Sequence, residues 1–430
     1  MEGRPRSPGQ STSIYAIHYS EIALKGRNRP EFVRVLRRNL KRAMATLGET
    51  RVESKEGRII LETTGQPHEV EAALSKVFGV AWYARASVVG RDYESIRDAV
   101  VDGAKGDEGS FKIDARRSDK TFPTSSMELS KRLGGEVVSV TGRPVDLSRP
   151  ETTIHIDVLR DRAVVYAAKT KGPGGLPVGT SGRVIHLFSG GIDSPVAAWL
   201  LMKRGCRPVY LHFYLAPSPD YALESKVGRI ARLLTGYSGR SSLLLLPFAE
   251  YQLATSGAPP GVEPSLFRRF MRVTAEQLAG TFGAGALSTG DSLSQAASQT
   301  LWNMAVSDAG SSLPVLRPLL GYDKEEIVQL AKRIGTYEPS IEEYRDCCAI
   351  ITRHPKTRVK RQVIDSLSET FEFPSLAKRC VELGSLASFD HRREQSEVTP
   401  LRDIVEERKL RAERAVGRPS VLPNTETESQ

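Results

Sequence analysis

The sequence predicts a multidomain protein, with an α+β N-terminal half followed by an α/β half built on a parallel sheet. Three observations lead there. The chain has 430 residues, too many for one compact core, so two or three domains are expected. Strands and helices are segregated between residues 13 and 169. From Val184 onward, short apolar strands alternate with helical segments, as the crossovers of a parallel sheet require.

Ile14–His18 alternates and is β-rich, and Pro30–Leu47 carries apolar residues near helical spacing (Phe32, Val35, Leu36, Leu40, Met44) with basic residues on the other face. Arg51–Glu53 and Arg58–Leu61 read as short strands, closing a first unit over residues 13–65. A second, over 66–169, mixes helices Val70–Val77, Tyr93–Ala104 and Ser126–Val137 with strands Trp82–Val89, Ser110–Ala115, Thr152–Val158 and Ala163–Ala168. Residues 170–182, dense in Gly and Pro, read as a linker loop. A third unit, 183–395, opens as strand Val184–Phe188, helix Pro195–Arg204 and strand Pro208–Tyr214. It continues through Leu243–Pro247, a helix at Ser265–Thr281, Gly285–Thr289 and Glu325–Ile334. Residues 396–430 are expected to form a charged tail, with a helix over Leu401–Ala415 and disorder at the end.

No apolar run approaches the roughly 18 residues needed to span a bilayer, so no membrane partner is expected. The polar residues 1–12 lack the apolar core of a signal peptide and read as a disordered leader of a cytoplasmic protein. The four cysteines (Cys206, Cys347, Cys348, Cys380) have neither the density nor the spacing of a disulfide framework or a structural zinc site, and no metal-ligand set is expected. With 61 basic against 51 acidic residues, the formal charge of +10 suits a polyanionic partner. It equally suits a merely soluble basic enzyme.

The informative segment is Ser189–Pro195 (SGGIDSP), set between a strand and a helix. Gly190 and Gly191 let backbone approach a ligand, and a helix N-terminus offers free N–H groups to an anion. The Ser189 and Ser194 hydroxyls can donate to phosphate. Asp193 would repel phosphate unless Mg²⁺ lies between them. The plain alternative is a capped helix with Pro195 in its first turn. No Gly-Lys-Ser/Thr follows, so this is not a Walker A loop, nor is it G-x-G-x-x-G.

The segment resembles the PP-loop of ATP pyrophosphatases, which cleave ATP between the α- and β-phosphates and transfer AMP to a substrate oxygen. Further segments narrow the resemblance to the tRNA 4-thiouridine synthetases. They are Tyr19–Arg29 (YSEIALKGRNR), Gly174–Gly182 (GGLPVGTSG), Ser288–Thr300 (STGDSLSQAASQT), Leu316–Glu326 (LRPLLGYDKEE), Asp346–Ala349 (DCCA) and His354–Thr357 (HPKT). In the first, Ser20 stands where the family usually has Gly. The match runs in the family's order to about residue 395. It implies an N-terminal ferredoxin-like domain (13–65), a THUMP domain (66–169) and a PP-loop ATP-pyrophosphatase domain (183–395).

The resemblance also implies roles. The first two domains would hold tRNA, with Lys25, Arg27, Arg29, Arg116, Arg117 and Lys120 on backbone phosphates; Arg37 and Arg38 fit a solvated helix face equally well. ATP contacts fall on Leu187, Phe188, His212, Phe213, Arg268, Gly290 and Gln299, besides the loop itself. His212 alone would read as an ordinary strand histidine. Lys324, at a helix start, is either part of a capped surface helix or a cation stabilising adenylation.

The implied reaction has two steps: ATP adenylates O4 of a tRNA uridine (position 8), then a persulfide sulfur displaces AMP. Cys347 and Cys348, among Arg345, Arg353, His354 and Lys356, are the candidate thiolates. The alignment favours Cys348, and a one-residue gap would favour Cys347. Cys206 and Cys380 read as structural. No cysteine follows Cys380 where some members carry a rhodanese domain, so sulfur would come from a cysteine desulfurase or inorganic sulfide. Pro264 and Phe267 stand where cluster-bearing members have C-x-x-C, so no iron–sulfur cluster is expected. A homodimer is one arrangement compatible with this division of labour. The competing readings are another PP-loop tRNA-modifying enzyme such as a 2-thiolase, and a tRNA-binding protein with a degenerate ATP site. Amidating synthetases have no need of the N-terminal RNA grip.

Overall fold

The structure, a computed structural model, describes residues 12–344, 347, 355–393 and 396–416. The chain divides into two compact units, the first reaching to Ser181 with two short later pieces, the second holding most of the remainder.

The first unit is an eight-stranded sheet. Its strands are β1 (Ser13–His18), β2 (Thr50–Lys55), β3 (Arg58–Thr63), β4 (Trp82–Val89), β5 (Phe111–Arg117), β6 (Thr152–Val158), β7 (Ala163–Tyr166) and the short β8 (Thr170–Lys171). Their order is β2-β3-β1-β4-β7-β6-β5, with β8 on β4. Alternation in β1 sends Tyr15 and Ile17 into a core with Leu36 and Leu40 of the helix Arg29–Ala43. A second core joins Ile154, Ile156 and Val165 to Ile96 and Val100 of helix Tyr93–Ala104 and Leu129 and Leu133 of helix Ser126–Thr141. Asp92 and Ser125 cap those helices, each accepting an N–H of the first turn. The boundary expected at residue 65 meets no break in the sheet: β4 pairs with β1 on one side and β7 on the other. The expected linker is ordered, because Leu176 is buried in the first core and β8 pairs with β4.

The second unit has seven strands: β9 (Arg183–Leu187), β10 (Arg207–Tyr214), β11 (Arg240–Pro247), β12 (Ala284–Ser288), β13 (Val315–Leu316), β14 (Ser385–Asp390) and β15 (Glu397–Pro400), in the order β13-β12-β9-β10-β11-β14-β15. The first five are parallel, as expected; β14 and β15 are antiparallel additions. The sheet's core includes an aromatic cluster of Phe213, Phe248, Tyr251, Phe267, Phe270 and Phe373. Within the stretch expected as a charged tail from residue 396, the helix expected over Leu401–Ala415 is present as Leu401–Val416, preceded by the unexpected strand β15. β15 pairs with β14, and the helix Leu401–Val416 is anchored by fully buried Leu401 and by Arg408, which donates to the Thr281 carbonyl at 2.6 Å and covers the Phe282 ring. Its charged residues cover the outer face while a few apolar ones hold it.

Candidate active site

Strand order turns back at β9, which lies between β10 and β12, and in such sheets the carboxyl ends of the strands at the reversal form a ligand crevice. The loop after β9 closes by its own hydroxyls. Ser194 Oγ accepts the Ser189 N–H at 3.0 Å and donates to the Ser189 carbonyl at 2.9 Å. Ser189 Oγ accepts the Gly191 N–H at 3.3 Å. The helix Asp193–Lys203 then begins two residues earlier than its sequence pattern indicates.

Beneath the loop, fully buried His186 of β9 places Nε2 2.9 Å from the Ser194 carbonyl and Nδ1 3.2 Å from the Ser288 hydroxyl. A carbonyl can only accept, so Nε2 carries the proton and Ser288 donates to Nδ1. Burial pushes the imidazole pKa down to about 4. Gly290, just past β12, permits the closest approach: a Cβ there would lie 2.7 Å from Ser194 N and 2.8 Å from its Cα.

Asp193 reaches across this junction. Its Oδ1 lies 2.7 Å from Lys324 Nζ, and its Oδ2 accepts from Gln295 Nε2 at 2.8 Å. Lys324 is the first residue of a helix whose start is set by a capping box between Asp323 and Glu326. Deeper, the Asp291 carboxylate is 4% exposed and accepts from Arg268 at 2.6 Å, Thr289 at 2.8 Å and Arg317 at 3.2 Å. Burial alone would raise its pKa, but the two guanidiniums and the hydroxyl hold it below the usual carboxylate range. Arg317 also forks onto Asp308 at 2.8 and 2.9 Å. Gln299 lies beside this cluster, and its Oε1 is buried with no hydrogen-bond partner among the described residues.

A cavity of about 120 Å³ opens at these strand ends. Leu187, Phe188, Ser189, Asp193, Ser194, His212, Phe213, Arg268, Gly290, Gln299 and Cys347 all line it. Gly190 and Gly191 belong to its loop, and Lys324 is tied to it through Asp193. His212 donates from Nδ1 to the Phe188 carbonyl at 2.9 Å and lies 3.1 Å from the Tyr344 hydroxyl at Nε2, which orders the strand end. Cys347 is buried; Cys348, Arg345, Arg353 and His354 fall outside the described residues. Cys206 and Cys380 are buried away from the cavity, and burial pushes both thiols up, Cys380 to about 12. Phe267 sits in the aromatic core at 1% exposure. Sequence reasoning does not single out His186, Asp291 or Arg317. A histidine in an otherwise apolar strand and an acid directly after Gly290 are the signals that could have found the first two.

In the first unit, Arg27, Arg116 and Lys120 are exposed. Lys25 lies over the Phe32 ring, and Arg29 donates to the Tyr19 hydroxyl at 2.8 Å. Arg117 donates to the carbonyls of Phe122 and Thr124, holding its own loop. Arg37 donates to the Val52 carbonyl and Arg38 is exposed. No helix among the described residues is long and apolar enough to cross a membrane.

A glycine-rich loop between a parallel strand and a helix, placed where the strand order reverses, defines a PP-loop nucleotide-binding domain, here on one chain with a second α/β unit. Residues 179–373 match the family described as thiamine biosynthesis protein (ThiI), residues 14–84 its ferredoxin-like domain and residues 93–168 the THUMP domain. A probable tRNA sulfurtransferase of Thermoanaerobacter sp. (strain X514) is 40% identical over 364 residues, 84% of this chain and 96% of its own. Another, from Thermus thermophilus, is 41% identical over 351 residues, 80% of this chain and 86% of its own. The crystal structure of a 4-thiouridine synthetase–RNA complex with bound ATP matches with a TM-score of 0.80 at 31% identity, over 88% of this chain and 100% of that one. The chain belongs to the tRNA sulfurtransferase family.

Proposed function

We propose that the protein converts uridine at position 8 of tRNA to 4-thiouridine, adenylating O4 with ATP and then replacing that oxygen by sulfur. The observation that carries this reading is the single cavity that gathers the Ser189–Asp193 loop, Arg268, Gln299 and Cys347. Loop N–H groups at a helix start suit the pyrophosphate. Arg268 adds a cation, and the unpartnered Gln299 oxygen can accept a nucleotide N–H or O–H. The ATP-bound, RNA-bound relative of similar fold supports both substrates.

Asp193 is the carboxylate that fits Mg²⁺, which prefers one or two carboxylates plus substrate phosphates, and no cluster of three acidic, His or Cys ligands lies among the described residues. Bound there, the ion would neutralise phosphate charge. Lys324, already drawn to Asp193, stabilises charge developing during adenylyl transfer. In the second step a persulfide on Cys348 or Cys347 attacks C4 through its outer sulfur and AMP leaves with its electron pair. The other thiolate then attacks the inner sulfur, so that a disulfide forms and the thiocarbonyl is released. A cysteine desulfurase supplies the persulfide's sulfane sulfur; where inorganic sulfide is the donor, HS⁻ itself attacks C4 and displaces AMP, with no persulfide formed. The buried Phe267 and neighbouring Pro264 give no thiolates for an iron–sulfur cluster. Lys25, Arg27, Arg29, Arg116 and Lys120 hold tRNA phosphates, with Arg117 shaping the loop beside them. A cytoplasmic location and a homodimer complete the reading.

Mass spectrometry of tRNA nucleosides from a deletion strain tests it. Loss of 4-thiouridine, restored by the gene, is expected. Unchanged 4-thiouridine with loss of a 2-thiouridine would replace this reading with that of a 2-thiolase.

A further inference from the structure

Beside the cavity, the helix Leu301–Asp308 begins with two exposed apolar side chains, Leu301 at 69% and Trp302 at 52% exposure. The Arg358 guanidinium lies 4.0 Å from the Trp302 ring centroid. It belongs to the stretch 355–361, where Lys356, Arg358, Lys360 and Arg361 are exposed and Val359 alone is buried. Arg361 pairs with Asp365 at 3.1 Å. Among the described residues no carboxylate lies within ion-pair distance of the other three cations.

This rim is tied to the cavity wall by one buried amide. Asn303, fully buried, donates to the Ala297 carbonyl at 2.7 Å and the Lys356 carbonyl at 2.9 Å, and accepts the Val359 N–H at 3.0 Å. Thr300 donates to the Thr357 carbonyl at 2.9 Å. The turn Ala297–Gln299, held by the same asparagine, carries Gln299 into the cavity. An exposed indole among cations, fixed to the wall of a nucleotide cavity, is a surface of definite chemistry. It offers a π-face to a base and charge to the phosphates on either side.

We propose that Trp302, with Lys356, Arg358 and Lys360, docks the tRNA next to its reacting uridine: an unstacked neighbouring base stacks on the open part of the indole and its phosphates lie on the cations. The proposal rests on the reaction given above. Chemistry at a base edge requires that base to leave its stack, and its neighbours then need a new surface. The charge complementarity of a basic rim favours RNA over a sulfur-delivering protein as occupant.

The test compares full-length wild type, Trp302→Ala, Trp302→Phe and the Lys356→Gln/Lys360→Gln double variant. Filter binding of tRNA over a salt series and steady-state thiolation are the readouts. Trp302→Ala should raise Kd and KM for tRNA about tenfold, while KM for ATP and kcat at saturating tRNA change less than about twofold. Trp302→Phe should restore most of the affinity, and the double lysine variant should lower the salt slope by roughly 1–2. Unchanged tRNA affinity in Trp302→Ala overturns the proposal, including the case where only the need for a sulfur-donor protein rises. So does an equal rise in the KM for ATP, which would mark Trp302 as structural. If wild type binds tRNA without thiolating it, the reaction reading fails, yet the binding constants still decide the docking surface.

Discussion

Lys324 Nζ lies 2.7 Å from Asp193 Oδ1, which joins the first residue of one helix to the first residue of another 131 positions away. A cation at that place faces the same point as the loop that suits pyrophosphate, so the pair is expected to open when ATP and Mg²⁺ enter. Asp193→Ala should abolish tRNA-dependent release of AMP from labelled ATP. Lys324→Met should lower it by about 10²–10³ while ATP still binds. AMP release at wild-type rate in either variant removes the assigned role.

Gly290 predicts a steric effect. The new methyl of Gly290→Ala would meet the Ser194 backbone at 2.7 Å, and backbone cannot swing aside as a side-chain tip can. Overpacking of this kind costs about 1–3 kcal/mol, so ATP affinity should fall roughly tenfold. Calorimetric titration with a non-hydrolysable ATP analogue measures it; wild-type affinity would show that the loop relaxes freely.

His186 predicts a pH dependence. Its folded pKa is about 4, against roughly 6.5 when unfolded, so the unfolded chain takes up the proton first. Its neutral burial is therefore fully stabilising above about pH 6.5, and that contribution, of order 3 kcal/mol, is lost as the pH falls toward 4. Urea unfolding of His186→Gln between those pH values should be flatter than wild type. Equal slopes would mean that other groups carry the effect.

Arg317→Leu leaves the buried Asp291 carboxylate with Arg268 as its one guanidinium partner, and Asp308 with none of its fork. Breaking such a buried network should cost about 3–5 kcal/mol, read as a lower urea midpoint. Arg116→Ala, which removes a two-thirds exposed partner of Asp114, should change stability by about 0–1 kcal/mol while weakening tRNA binding.

The cysteines give a split of functions. Cys348→Ser should leave AMP formation intact and stop sulfur incorporation from a persulfide donor. Cys347→Ser should behave alike if both thiols take part in release. Thiolation by the Cys348→Ser variant would move the sulfur-carrying role to Cys347.

Much of this was legible in the residues because it is local. The periodicities of Ile14–His18 and Tyr93–Ala104 and the strand–loop–helix context of SGGIDSP each lie within one segment, where spacing alone decides the geometry. The ends of the chain's last elements were less so. Leu401–Val416 is legible as a charged helix, but what it packs on is not: Leu401, Ile404 and Val405 meet the sheet's core, and Arg408 donates to the Thr281 carbonyl 127 residues away.

By itself, the sequence determined that this protein has an α+β half, a parallel-sheet half and a phosphate loop between strand and helix. Only the tertiary structure decided what supports that loop. His186 meets Ser288 across 102 residues, and Asp291 is balanced by Arg268 and Arg317 from 23 and 26 residues away. A buried charge or imidazole is tolerated only where its partners converge in space, and that convergence is a property of the fold rather than of any one segment.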